Sequence, residues 1–409
     1  MNRTHSLCAL ALVAVACKDP EPQIPHDPSK PEVGVKADVG PGPIAPRPAP
    51  AVAERDAEGW PPRVHEVVRG SGGLGVFELR SGALFVTAGP RVLPVSADGS
   101  LDASKRWLRG IDPTGEETIE GWEIRTLGGT TPGALFITEW RSSSDYPYRA
   151  YRWTGERWRK LLAKSPNYFS NPRRLAMWRD GAVLSHRQFD PRPDAPPTLG
   201  EVDGERTARA VIAETKPLTV VAGARRAPDV EHFDDFDALP SGELFLLRGT
   251  VIEHRNTNAV GRQRTLPDAE GLLEASLVLE SSDRAYAYGG LERDDSVRPY
   301  LARWNGDAWV REAAPPCDAA LVDLSWSASH GTWAICRTDW SANGGAHPGS
   351  VFGRKRDDGA WVLLPEVGDR AHAVIASEKH GLWIATEATV FGPKPAAVFE
   401  APQLNEALQ

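Results

Sequence analysis

The sequence predicts an all-β fold, a seven-bladed β-propeller of four-stranded antiparallel blades, on three observations. A turn glycine followed by a short apolar run returns about every 50 residues. The chain between returns alternates in the manner of short strands, and helical periodicity is almost absent from it. Radial repetition of small sheets leaves only short, protected edges, so this rhythm reads as a propeller.

The anchors are Gly82-Ala-Leu-Phe-Val-Thr, Gly133-Ala-Leu-Phe-Ile-Thr, Gly181-Ala-Val-Leu-Ser, Gly242-Glu-Leu-Phe-Leu-Leu, a degenerate Asp283-Arg-Ala-Tyr-Ala-Tyr, Gly331-Thr-Trp-Ala-Ile-Cys and Gly381-Leu-Trp-Ile-Ala-Thr. Their intervals are 51, 48, 61, 41, 48 and 50 residues, and the 61-residue one leaves six or eight blades open. In one full unit, 319–327, 332–337, 350–355 and 360–364 are the four strands. Two motifs recur inside the units. Ser-x-x-His-Gly-x-Trp occurs at Ser327 to Trp333 and Ser377 to Trp383, and Arg-Trp-x-Gly-x-x-Trp at Arg152 to Trp158 and Arg303 to Trp309. Each places glycine where a two-residue turn needs positive φ.

Tyr286-Ala-Tyr-Gly-Gly-Leu, followed by Tyr300 and Trp309, resembles the diglycine unit of kelch-like propellers. The resemblance covers this blade in residues and the others in rhythm. The sialidase-type aspartate box is approached at Ser327 to Trp333, but its Asp is missing.

Residues 1–16 have the layout of a secretory signal, with a basic start at Arg3 and an apolar run from Leu7 to Ala16 that is too short to cross a bilayer. Ala14-Val15-Ala16-Cys17 resembles the bacterial lipoprotein lipobox. That resemblance implies a signal peptide over 1–16, lipidation of Cys17 and a membrane anchor. An ordinary secreted protein cleaved nearby is the alternative. Lys18, standing where retained lipoproteins carry Asp, implies the outer membrane of the cell envelope. Residues 17–60 are rich in Pro, Ala and charge and read as a disordered tether, and 61–409 as the propeller domain.

Cys317 and Cys336 flank the first two strands of the sixth unit, and antiparallel geometry with an oxidising compartment predicts a disulfide. Two separate buried thiols are the alternative. The net charge of −8 and the lack of a Lys/Arg run argue against nucleic acid, and a monomer is expected. For ring closure, either 63–69 or 396–401 is expected to supply the outer strand of the last blade.

Loops on a rigid scaffold commonly carry function. Four connections between second and third strands read as long, 139–148, 186–197, 290–299 and 337–350, and in a propeller they share one face. Trp140, Tyr146, Tyr148 and Trp340 offer stacking surfaces there, and Asp145, His186, Asp294, Asp339 and His347 polar partners. Aromatics with carboxylates suit a glycan or a peptide. The plainer reading packs the aromatics on neighbouring loops and leaves the charges solvated.

His186 and His347 come from blades three and six, so no metal site is predicted, and no cofactor. His330 and His380 sit in recurring hairpin turns and read as structural. Glu231 to Asp237 reads as carboxylates lining the channel, holding a stray cation, or solvated. Phosphate loops, nucleophile elbows and His-Glu-x-x-His are absent. The expected function is a binding or scaffolding module working through the loop face. The alternatives are a propeller hydrolase or lyase with loop carboxylates as acid and base, and a structural part of an envelope assembly.

Overall fold

In a computed structural model, the described residues are 59–70, 73–89, 91–101, 107–108, 123–129, 131–133, 135–140, 148–153, 158–160, 170–178, 181–188, 197–199, 210–212, 234–239, 241–255, 261–293, 296–337, 349–367 and 370–401. Among them are strands and turns and no helix. The signal, Cys17 and nearly all of the tether lie outside them.

Among the described residues the strands fall into seven sheets, over 74–108, 123–160, 170–212, 235–265, 272–311, 320–363 and 371–392, the last joined by His65–Arg69 and Phe399–Glu400. In the first, second, fourth, fifth and sixth sheets the strands run up and down in chain order. The first strand of every sheet packs against the first strand of the next, and Ala371–Ser377 of the seventh packs on Leu74–Glu78 of the first. The chain is therefore a β-propeller, with its inner strands in a closed ring.

The core lies between neighbouring sheets. Leu277, Ala287 and Tyr300 of the fifth sheet meet Phe245 and Ile252 of the fourth. Leu321 and Ala334 of the sixth sheet meet Tyr286 and Leu301 of the fifth. Val76 and Val86 of the first sheet meet Trp383 and Val390 of the seventh. Strand alternation gives these sheets two apolar faces, and each fully buried aliphatic side chain contributes roughly 1.5–3 kcal/mol.

The Ser-x-x-His-Gly-x-Trp motif has a local cause. The Ser327 hydroxyl accepts the His330 amide at 3.1 Å, and the Trp333 indole donates to the His330 carbonyl at 2.7 Å. Ser377, His380 and Trp383 repeat both bonds at 3.1 and 2.9 Å. Gly331 has φ +73°, and a Cβ there would meet the Arg354 carbonyl oxygen at 2.2 Å, so the turn admits only glycine. Trp333 lies over Gly353, its partner on the next strand.

Three details differ from the sequence expectation. Both chain ends enter the seventh sheet, where one was expected. His65–Arg69 pairs antiparallel with Thr389–Gly392, and Phe399–Glu400 adds a fifth strand parallel to it. Val67 and Val68 are fully buried there, which is why the N-terminal strand lies inside the sheet. In the third sheet, Pro197–Leu199 and Ala210–Ile212 both pair along Gly181–Gln188 instead of stacking outward. Trp60, assigned to the tether, packs on Trp333 with ring centroids 5.1 Å apart.

Cys317 and Cys336 form a disulfide with a Cα separation of 6.5 Å.

Candidate functional site

The inner strand of each propeller sheet is an edge, and its unpaired amides need acceptors. At two junctions the preceding sheet supplies them. Asp235 and Asp237 lie two residues apart, hence on one side of their strand, and accept the Leu277 and Leu279 amides at 2.7 and 2.8 Å. Asp323 and Ser325, with the same spacing, accept the Val374 and Ala376 amides at 2.7 and 2.9 Å. Asp237 and Asp323 also accept the amide of the residue that follows, Ala238 at 2.8 Å and Leu324 at 3.0 Å. The acidic run ending at Asp237 is thus an inter-blade latch where the structure describes it. An Asp-x-Asp or Asp-x-Ser pair in an apolar inner strand was its sequence signal.

These strands surround a cavity of about 610 Å³ at the end of the ring where first and second strands turn. Among the described residues, six sheets line it, and the ionisable groups there are five carboxyls (Glu78, Asp237, Glu280, Asp323, Glu378) and two cations (Arg80, Lys379). Arg80 sits on the turn of the first sheet and reaches the fifth. Its guanidinium donates to the Leu279 carbonyl at 2.5 Å and the Glu280 carbonyl at 3.2 Å.

The seventh sheet supplies the neighbouring wall. The Ser377 hydroxyl donates to Glu78 Oε1 at 2.6 Å, and Lys379 Nζ donates to the Ser81 carbonyl at 3.1 Å. Glu378 takes the Ala328 and Ser329 amides and the Ser329 hydroxyl of the sixth sheet. Arg284 lies 3.8 Å above the Trp326 ring and is paired to Asp357 at 2.7 Å.

The Glu280 carboxyl retains some contact with solvent but is enclosed by the channel wall. Burial pushes its pKa up to about 7, with Arg80 pulling it back and Asp237 and Glu78 adding to the rise. Glu78 is raised as well, again chiefly by burial, against the pull of the Ser377 hydroxyl. His330 and His380 are held low by burial in their turns.

The loop face was expected at the opposite ends of the strands from these turns. Asp145, Tyr146, Asp294, Asp339, Trp340 and His347 fall outside the described residues. Trp140 ends Leu135–Trp140 and pairs in register with Tyr148, the first residue of Tyr148–Trp153. His186 lies inside the strand Gly181–Gln188, opposite Pro172 and Thr198, and not in a loop. The connection expected over 290–299 shrinks to two residues, because the hairpin ladder continues to Arg293 paired with Ser296. Gly290 belongs to that ladder, where a Cβ would meet Val297 Cγ1 at 2.7 Å. The mouth at the turn end was missed in the sequence, since an arginine in a surface turn carries no sign of crossing a channel.

Among the described residues, no group of His, Cys, Asp and Glu is arranged to hold a metal ion.

No protein-family model and no curated protein matches the chain. Solved structures match in fold. YCF48 bound to D1 peptide is similar at TM-score 0.49 and 10% identity, covering 84% of this chain and 99% of that one. Virginiamycin B lyase from Staphylococcus aureus is similar at TM-score 0.48 and 11% identity, covering 81% and 98%. The extracellular domain of the hybrid two component system BT4673 from B. thetaiotaomicron gives 0.48 and 10%, with 82% of this chain on 40% of that one.

Proposed function

We propose that this chain is a cell-envelope lipoprotein, anchored through Cys17 and a tether over 17–60, whose propeller is a binding or scaffolding module for a protein or glycan. The observation that supports this most is the mouth at the turn end. It is a concave cavity with charged groups in its wall, which among the described residues comes from six sheets joined by side-chain latches, so its groups are pre-organised. Catalysis is the weaker reading, because Asp237 and Asp323 have both oxygens engaged by backbone amides and serve the ring.

The loop face is the second contact surface of this proposal. The register of Trp140 with Tyr148 places two aromatic positions side by side there, next to the segments that carry Asp145 and Tyr146.

The test is retention of solubilised envelope components on the immobilised full chain, wild type against Glu280→Gln combined with Lys379→Glu. Loss of a retained species in the variant, at unchanged melting temperature, supports the mouth. Equal retention moves the site to the loop face, and no retained species by either chain contradicts the binding reading.

A further inference from the structure

The mouth already holds a cation of its own. Arg80 comes from a turn and is exposed to solvent, and two carbonyl bonds of its guanidinium hold it across the channel. Those carbonyls belong to the inner strand Leu272–Ser281, whose outer edge at this point faces the cavity. Beside them stands Glu280, whose carboxyl makes no hydrogen bond or ion pair with the described residues although the channel wall encloses it. A carboxyl enclosed in this way is held back from ionising, and a charge-assisted hydrogen bond from a ligand cation favours its ionised form. The surroundings favour positive charge further, with Glu78 and Asp237 close to Glu280.

We infer that the mouth accepts a guanidinium or primary ammonium group of a ligand, such as an arginine or lysine side chain of a protein, and that Arg80 is the built-in occupant which this group displaces. The inference rests on the binding-module reading and names the ligand chemistry of the same site. Two features distinguish the site from a merely acidic surface. The acceptors are main-chain carbonyls in fixed positions as well as carboxylates, so they suit the flat fork of a guanidinium. The occupant is also tethered through a flexible side chain on an exposed turn, so its release costs no change in the ring.

Displacement has a simple energetic form. Arg80 competes with the ligand as a tethered group at high effective concentration, so the observed affinity is the intrinsic one reduced by the fraction of time that Arg80 vacates the site. Removing Arg80 therefore strengthens binding, and neutralising Glu280 weakens it. Among the described residues, the groups facing Glu280 are Arg80, Asp237, Glu78 and Arg284. Ionisation of Glu280 strengthens cation binding, so affinity rises as pH increases through about 7.

The experiment is calorimetric titration of the full chain with N-acetyl-arginine amide and with its neutral isostere, N-acetyl-citrulline amide. The arginine amide is expected to bind about tenfold more tightly than the citrulline amide, Arg80→Ala to gain about tenfold, and Glu280→Gln to lose about tenfold. Should Arg80→Ala fold poorly, Arg80→Gln replaces it with the same expected gain. Equal affinity for the two amides, or no binding of either, overturns the cation site. No gain on removing Arg80 overturns its role as occupant. If Glu280→Gln abolishes retention of an envelope component while the arginine amide fails to bind, the binding module stands and this inference alone falls.

Discussion

The carboxylate of Asp237 accepts the amide of Leu279 at 2.8 Å across the boundary between the fourth and fifth sheets. Leu279 is also one of the two residues whose carbonyls receive Arg80. One peptide segment thus joins the ring's construction to its cavity. Asp237→Ala leaves the buried Leu279 amide without its acceptor and is expected to cost about 1–3 kcal/mol in denaturant unfolding. Asp237→Asn keeps an oxygen and is expected to cost less. Equal, negligible losses for both would show that the latch contributes nothing to stability.

The seventh sheet offers a comparison between the chain ends. Val67 and Val68 are fully buried against Trp383 and Val390, whereas Phe399 is only partly covered. Deleting 61–70 removes three core side chains, Val64, Val67 and Val68, and opens the sheet, so the melting temperature is expected to fall by many degrees. Truncation after residue 397 is expected to lower it much less. The reverse order, measured by circular dichroism, would assign closure of the ring to the C-terminal strand.

A buried charge network joins the fifth and sixth sheets. Arg354 is inaccessible to solvent and pairs with Glu312 at 3.0 Å, while Glu312 also takes Arg303 at 2.8 Å. Arg354→Met breaks the pair in a dry site and is expected to cost about 3 kcal/mol or more. Glu312→Leu takes the partner from both arginines at once and is expected to cost more than Arg354→Met. A Glu312→Leu variant as stable as wild type contradicts this account.

Ionisation of Glu280 gives stability a defined pH dependence. Its carboxyl, normally near 4.5, is pushed to about 7 in the folded chain, chiefly by burial. The folded state therefore keeps a proton that the unfolded chain releases. This stabilising contribution is complete below the unfolded value and is lost as pH rises through about 7. Glu78 shifts in the same direction, so the comparison must be with Glu280→Gln, which lacks the Glu280 contribution. Relative to wild type, the variant should gain unfolding free energy between about pH 5 and about pH 8. A pH-independent difference in urea midpoints would show that Glu280 titrates normally.

The architecture was legible because its determinants are local and repeated. The anchor glycines, the short apolar runs and the paired Ser-x-x-His-Gly-x-Trp motifs each encode a turn that the chain makes again and again. The placement of His186 and the length of the 290–299 connection were not legible, since the point where a hairpin ladder stops depends on partners across the strand. Glu292 and Arg293 look like loop residues in the sequence, yet they pair with Val297 and Ser296. The mouth was hidden for a different reason. Arg80 and Leu279 are brought together only by closure of the ring, and no local pattern foretells a contact between the first and fifth sheets.

The most direct measurement is hydrogen–deuterium exchange of the full chain, free and bound to the component that it retains from solubilised envelope extract. The account predicts new protection at 78–82 and 278–282, the two sides of the mouth, with weaker change elsewhere. Protection confined to 141–147 and 338–348, or none at the mouth, would contradict it and place the contact on the loop face.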